Sequence, residues 1–357
     1  MAYTDIDDPS AYFQTILYEG GTANAKTFSG NSDLAPNWFW GKKREVAQSH
    51  YFVDSVRGIV NSLQSNSAAA GYTDSEADDI ASFDSNGFTF NDTGDQFNGT
   101  STDASYVAWC WKAGTAFSND ASSTSIGSID SAGIFNNDAG FSICTYTGTG
   151  SAGTIKHGLN TVPKMIILKG RSEAKAWTVY HNALGAGKSM ALATNAAAVT
   201  NSTYWGGTEP TSSVFSTGSS TNVSGNNITI VAYCFAEKKG YSKFGSYTGN
   251  GNADGSFVYL GFKPAWVMVK ISSGTGHWMI LDNKRSASGG FNVLGERIKA
   301  NATDAGATDV YMDFLASGFK FRTTTATSWN DSGSTYIFMA FAEEPFVTST
   351  GIPATAR

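Results

Sequence analysis

Short apolar runs of about six residues, each closed by a polar or glycine-containing turn, recur along the whole chain. "NWFWGK", "KMIILK" and "AWVMVK" are too short for independent helices and are bounded by proline on one side and by turn residues on the other. Longer runs alternate. In "YVAWCW" Tyr106, Ala108 and Cys110 fall on one face and Val107, Trp109 and Trp111 on the other, and both faces are apolar enough to be covered. The pattern predicts strands nearly everywhere and an all-β fold. Three tandem antiparallel β-sandwich domains of jelly-roll-like type, related by internal repeat, are the architecture expected.

The repeat is read by anchoring on proline. From Pro36, Pro163 and Pro264 a lysine follows after six residues (Lys42, Lys169, Lys270), and Asp54, His181 or Asp282 after eighteen, ending "HYFVD", "WTVYH" and "WMILD". Upstream, "TILYEGG", "CTYTGTG" and "GSYTGNG" place Tyr18, Tyr146 and Tyr247 at matching positions; downstream, "YVAWCWKA", "ITIVAYCFAE" and "YIFMAFAEE" close each copy. Units of this length are domains rather than solenoid repeats. The expected order is a docking segment at 1–11, repeats at 12–113, 141–239 and 240–346, a Ser/Gly/Asn-rich linker at 114–140 with a small strand pair at "SIGSID" and "AGIF", and a tail at 347–357. On this reading the repeats are beads on a string, and residues 241–346 should fold alone.

Composition narrows the function. Charged residues are 15% of the chain and the formal net charge is −6 with scattered Lys and Arg, so no electrostatic footprint for nucleic acid or an anionic membrane is present. No apolar run reaches the length of a membrane span, and the first residues lack a secretory pattern, so a soluble product made in a reducing cytoplasm is expected. Cys110, Cys144 and Cys234 each sit in a strand-like run and read as buried free thiols.

Motifs that resemble chemistry fail on context. "GTGSAG" at 148–153 follows a strand but opens no helix, so a hairpin turn explains it better than a dinucleotide site. "NALGAGKS" at 182–189 lacks the first glycine of a phosphate-binding loop. The four histidines, His50, His157, His181 and His277, show no metal-ligand spacing, and no nucleophile elbow is present. The expectation is therefore no catalytic residue and no cofactor. Acidic loops hold Asp74, Glu76, Asp78, Asp79, Asp84, Asp92, Asp95 and Asp103; Asp92 and Asp95 are the weak calcium candidates, although the spacing of an EF-hand is absent. Trp205 in "YWGGTEP" and Trp329 in "SWNDSGS" read as loop tryptophans and are the candidates for contact with a ligand.

The phrases "FSICTYTGTGSAGTIKHGLNTVPKMIILKGRS", "YWGGTEPTSSVFS", "YCFAEKKGYSKFGSYTGNGNADGSFVYLGFKPAWVMVK" and "YIFMAFAEEPF" resemble a repeat family of tailed bacteriophages, found among virion structural and tail-fibre-like proteins. The resemblance covers residues 12–346 and implies a place on the virion surface rather than an activity. It implies a non-enzymatic structural protein, a tail-associated appendage or capsid decoration, with other virion proteins as partners, a homo-oligomeric state (a trimer being expected) and a host-surface glycan as target, without nucleic acid or membrane insertion. The alternative from another class is a host-glycan depolymerase acting through carboxylates such as Asp78, Asp79 or Asp95. A carbohydrate-binding adhesin is a third.

Overall fold

The strand at or beside each anchoring proline is an inner member of a four-stranded antiparallel group. In a computed structural model describing residues 3–21, 24–73, 80–91, 93–94, 96–101, 104–285, 294–324 and 328–354, these strands are Trp38–Lys43, Pro163–Gly170 and Phe262–Ile271. Each lies between the short strand ending in Asp54, His181 or Asp282 and the closing aromatic strand Ser105–Trp111, Thr229–Ala236 or Thr335–Pro345. The closing strand pairs on its other edge with Phe13–Glu19, Phe141–Thr147 or Ser242–Thr248. The registers coincide: Tyr18, Tyr146 and Tyr247 stand opposite Tyr106, Ile230 and Tyr336. Pro163 and Pro264 sit at register shifts in these central strands, since a residue without an N–H is accommodated at a bulge.

The repeated spacing of tyrosine and glycine, "YEG" in the first copy and "YTG" in the others, has a structural reason. Each tyrosine hydroxyl donates to a carbonyl in the loop above it: Tyr18 to Phe97 (2.9 Å), Tyr146 to Val223 (2.7 Å) and Tyr247 to Trp329 (2.6 Å). Two residues on, Gly20, Gly148 and Gly249 pass so close to the same loops that a Cβ would run into the carbonyl oxygens of Gly99, Gly225 and Asp331.

Alternation along the strands sorts side chains into two kinds of core. On the outer face, Tyr106, Ala108 and Cys110 pack with Phe39, Phe88 and Phe97 in a core private to the first copy; the second and third copies have counterparts around Ile166 and Leu168, and around Val267 and Val269. On the inner face the three copies share one core. It contains Trp38, Trp40, Trp109 and Trp111 from the first copy, Ile167, Tyr233 and Phe235 from the second, and Trp266, Met268 and Phe341 from the third. Rings meet across copies, with centroids 4.6 Å apart for Trp38 and Tyr233, 5.5 Å for Trp111 and Phe341, and 6.1 Å for Phe235 and Phe341. Each such ring buries roughly 150–250 Å².

This arrangement corrects the reading of the copies as beads on a string. Removed from its neighbours, the segment 241–346 would keep its private outer core but expose Trp266, Met268 and Phe341. The stretch 114–140 is likewise not a linker. Thr115–Asn119 and Ser131–Asn136 are strands, and the second pairs with Phe141–Thr147 to widen the inner sheet of the second copy. "AGIF" is in that strand while "SIGSID" precedes it. An edge strand that packs through Phe117, beside a neighbour that packs through Ile134 and Phe135, can be written in linker-like residues. The docking segment, too, is docked on its own chain: Ile6 is in the shared core, Thr4 Oγ1 and the Asp5 N–H both donate to the Lys239 carbonyl, and Asp7 accepts from the N–H (2.6 Å) and hydroxyl of Ser349 in the tail.

The copies join through seams built to one plan. The carbonyl two residues beyond the repeated lysine accepts an N–H from the neighbouring copy: Arg44 from Gly306 (2.7 Å), Arg171 from Gly71 (2.9 Å) and Ser272 from Ala198 (3.0 Å). A ring N–H at the equivalent positions His50, Trp177 and Trp278 donates to Lys299 (3.0 Å), Gln64 (2.8 Å) and Ala191 (3.0 Å) carbonyls. The first copy thus leans on the third, the second on the first, and the third on the second, which closes a ring. The repeated lysines are buried beneath these contacts. Lys169 reaches the Ala68 carbonyl and Lys270 that of Asn195, both across a seam, whereas Lys42 stays within its own copy on Lys43 and Val46; burial lowers all three to about 8.

The Asp, His, Asp series follows from what faces it. Asp54 accepts from the Tyr233 hydroxyl (2.7 Å) and Asp282 from the Trp109 Nε1–H (2.9 Å), each donor coming from a different copy. The third position of that donor set is Met339, which has nothing to give. There the chain has His181, whose Nε2 donates to the Phe338 carbonyl instead (3.0 Å). Arg57 and Arg285, three residues after the aspartates, pair with them at 2.5 and 2.6 Å; the residue after His181 at that spacing is Leu184. Replacing His181 with Asp would bury a carboxylate against a carbonyl with no cation beside it. His181→Asp is therefore expected to cost about 3 kcal/mol or more in urea denaturation, and a near-neutral result would contradict the seam assignment.

Candidate functional site

Most residues singled out by the sequence are structural. Trp205 ends the short helix Ser202–Trp205, which Asn201 caps at its start and left-handed Gly206 at its end. Its ring is 1% exposed and meets Tyr180 edge-on at 5.6 Å. Trp329 is equally buried and stacks on Tyr311 at 5.1 Å. Neither is the exposed ligand contact expected. Polar and glycine-rich flanks made these segments look like free loops, but each outer layer needs a bulky plug; Trp329, like Phe97 and Val223, carries the carbonyl that receives the repeated tyrosine. That matching position is the signal in the sequence that could have placed Trp329 inside.

The calcium candidates Asp92 and Asp95 lie outside the described residues, as do Asp74, Glu76, Asp78, Asp79 and Asp103. Asp84 accepts from the hydroxyls of Ser82 (2.6 Å) and Thr89 (2.7 Å). Among the described residues, no group of three His, Cys, Asp or Glu side chains is placed to hold a metal ion. The three cysteines are free and buried, and for Cys110 burial pushes the thiol well above its ordinary range. His50, His157 and His181 each accept at Nδ1, from Trp40 Nε1, the Leu159 N–H and the Ala183 N–H respectively, and donate at Nε2 to a backbone carbonyl. That pattern fixes one neutral tautomer, and burial lowers His157 and His181 to about 4, so these rings act as connectors.

The open aromatic surface lies elsewhere. Strand Phe257–Tyr259 exposes alternate residues, turning Val258 inward and leaving Phe257 (48%) and Tyr259 (58%) on the outer face. Beside it the chain's two ends bring up Tyr3 (61% exposed) and Phe346 (39%). Tyr3, Tyr259 and Phe346 line one depression of about 440 Å³ together with Glu237, Lys239 and Lys243. The Lys243 ammonium stands 5.3 Å from the centre of the Tyr259 ring, a cation–π contact. Flat apolar faces flanked by a carboxylate and ammonium groups can stack a sugar ring and hydrogen-bond its hydroxyls. Sequence reasoning passed over these residues because it weighed tryptophans; the alternation in "FVYL" was the available signal.

Residues 8–345 match a protein family described as a domain of unknown function (DUF7483). The chain belongs to that family. The match runs through all three copies. Comparison with curated proteins and with solved structures gives no match.

Within this DUF7483 chain, Trp205 is a packing residue. Trp205→Ala is expected to cost about 3–5 kcal/mol, measured by chemical denaturation, because it opens a cavity under Tyr180. An unchanged denaturation midpoint would return Trp205 to the surface.

Proposed function

We propose that this protein is a non-enzymatic surface appendage of a tailed-phage particle that helps attach it to a host-surface glycan. The observation that carries this reading is the depression lined by Tyr3, Tyr259 and Phe346, in which three exposed rings converge with charged groups at their edges. The resemblance of the repeated phrases to phage virion proteins supports the setting. Each copy, with its inner sheet and outer cover, is read as a diverged jelly-roll-like sandwich, and the closed ring of three forms a rigid head on which a binding surface can be displayed. The buried ionisable groups shared between copies support a structural rather than catalytic use, since Lys42, Lys169, Lys270, Asp54, Asp282, Arg57 and Arg285 are all engaged in carbonyl contacts or ion pairs. Other virion proteins are the expected partners. A homotrimer would multiply weak sugar contacts into avidity.

The test is binding of purified host-envelope polysaccharide by the full chain and by a Tyr259→Ala, Phe346→Ala variant. Both side chains are partly exposed, so the variant is expected to keep its thermal midpoint within a few degrees and to bind at least about tenfold more weakly. Equal binding by the two proteins would sink the proposal. Shortening of the polysaccharide on incubation would replace it with the depolymerase alternative.

A further inference from the structure

The ring's seams also differ in how they use their arginines. Where the first copy meets the third, Arg44 forms a two-pronged contact with Glu296, Nη2 to Oε2 at 3.0 Å and Nε to Oε1 at 3.4 Å, and Arg285 Nη1 approaches the same carboxylate at 3.8 Å. One carboxylate is thus bonded to Arg44 and stands near Arg285, whose Nη1 makes no hydrogen bond to it. Moving to the next seam by the repeat, Arg44 becomes Arg171, two residues beyond the repeated lysine, and Arg285 becomes Arg57. Glu296 becomes Asn61, because Gln64 and Lys299, three residues further on, accept the equivalent ring N–H bonds. Both arginines remain and the acid between them is gone.

What stands there is a cavity of about 330 Å³ lined by Arg57, Asn61, Gly71, Arg171, Ser172 and Thr229. Asn61 turns its amide to the Arg57 carbonyl (2.7 Å), and Arg57 spends its Nε on Asp54. Arg171 Nε is buried without an acceptor. A buried guanidinium nitrogen left in this way costs free energy that an anion would recover. The third seam has no such seat, since Ser272 takes the arginine's place.

We propose that this cavity is a carboxylate site for an acidic saccharide. Arg171 and Thr229 also line a second, larger groove of about 760 Å³, whose walls are hydroxyl and amide groups such as Thr147, Thr149, Asn226 and Asn227. A carboxylate seated at Arg171 would leave neutral sugar units to run along that groove. Asp120 and Asp130 on its wall accept from the Ser123 and Ala121 N–H groups and disfavour a second acid unit. The carboxylate seat stands on the seam comparison and the unpartnered Arg171 Nε; the saccharide rests on the surface-attachment reading.

Titration calorimetry on the full chain tests both parts, using a trisaccharide of two glucose units ended by glucuronate, its methyl ester, and acetate. The acid is expected to bind, with the ester and acetate each weaker by roughly tenfold or more. Arg171→Gln is expected to abolish this preference. Asn61→Glu rebuilds the first–third seam from within, so it is expected to block the acid without lowering the thermal midpoint. Equal binding of acid and ester, or undiminished binding by Asn61→Glu, would overturn the site; acetate binding as tightly as the trisaccharide would overturn its ligand class. The Tyr259→Ala, Phe346→Ala variant should still bind the trisaccharide, which separates failure here from failure of the aromatic depression.

Discussion

Each copy carries an apolar inner face that it cannot cover by itself, and the rest of the structure follows from that constraint. Trp38, Trp40, Trp109 and Trp111 on one sheet, with their counterparts on the other two, are surfaces that water disfavours by about 25 cal/mol for every Å² left exposed. Three such faces can dry one another only by meeting around a common axis. The third copy then packs back onto the first, and the amino-terminal segment is tied to the tail through Asp7 and Ser349.

Closure explains why polar groups recur at the seams. A ring held by apolar contact alone could slip, because side chains of similar size interchange at modest cost. Backbone carbonyls at Arg44, Arg171 and Ser272, and ring N–H groups at His50, Trp177 and Trp278, fix the register of each sheet against its neighbour. The chain also shows how such a plan tolerates change. Where Met339 replaces an aromatic donor, the acceptor aspartate becomes His181 and the partner arginine becomes Leu184, so the buried site changes its chemistry as a set. The cavity beside Arg171 marks a place where one member of such a set, the carboxylate, has no internal replacement.

The strand periodicity, the three copies and the burial of both faces of "YVAWCW" were legible in the residues, because alternation and proline spacing report local geometry directly. How the copies meet was not. A face covered by a private layer and a face covered by another copy have the same apolar alternation, so Cys110 and Trp109 look alike until they are placed. The same ambiguity misplaced Trp205 and Trp329, whose polar neighbours belong to loops that fold over a core. It also hid Thr115–Asn119, an edge strand written in the residues of a linker. The exposed rings of Tyr259 and Phe346 were missed because tryptophans were weighed first, although the alternation around Tyr259 marks it as outward-facing.

Native-state hydrogen exchange is the most direct measurement of the shared core. The slowest amides of the three central strands, those of Trp40, Ile167 and Met268, should exchange with one common free energy and one common denaturant dependence, as parts of a single cooperative unit. If one copy opened at a markedly lower free energy with its own smaller dependence, the three would be independent domains in contact, and the account of a ring closed around one core would be wrong.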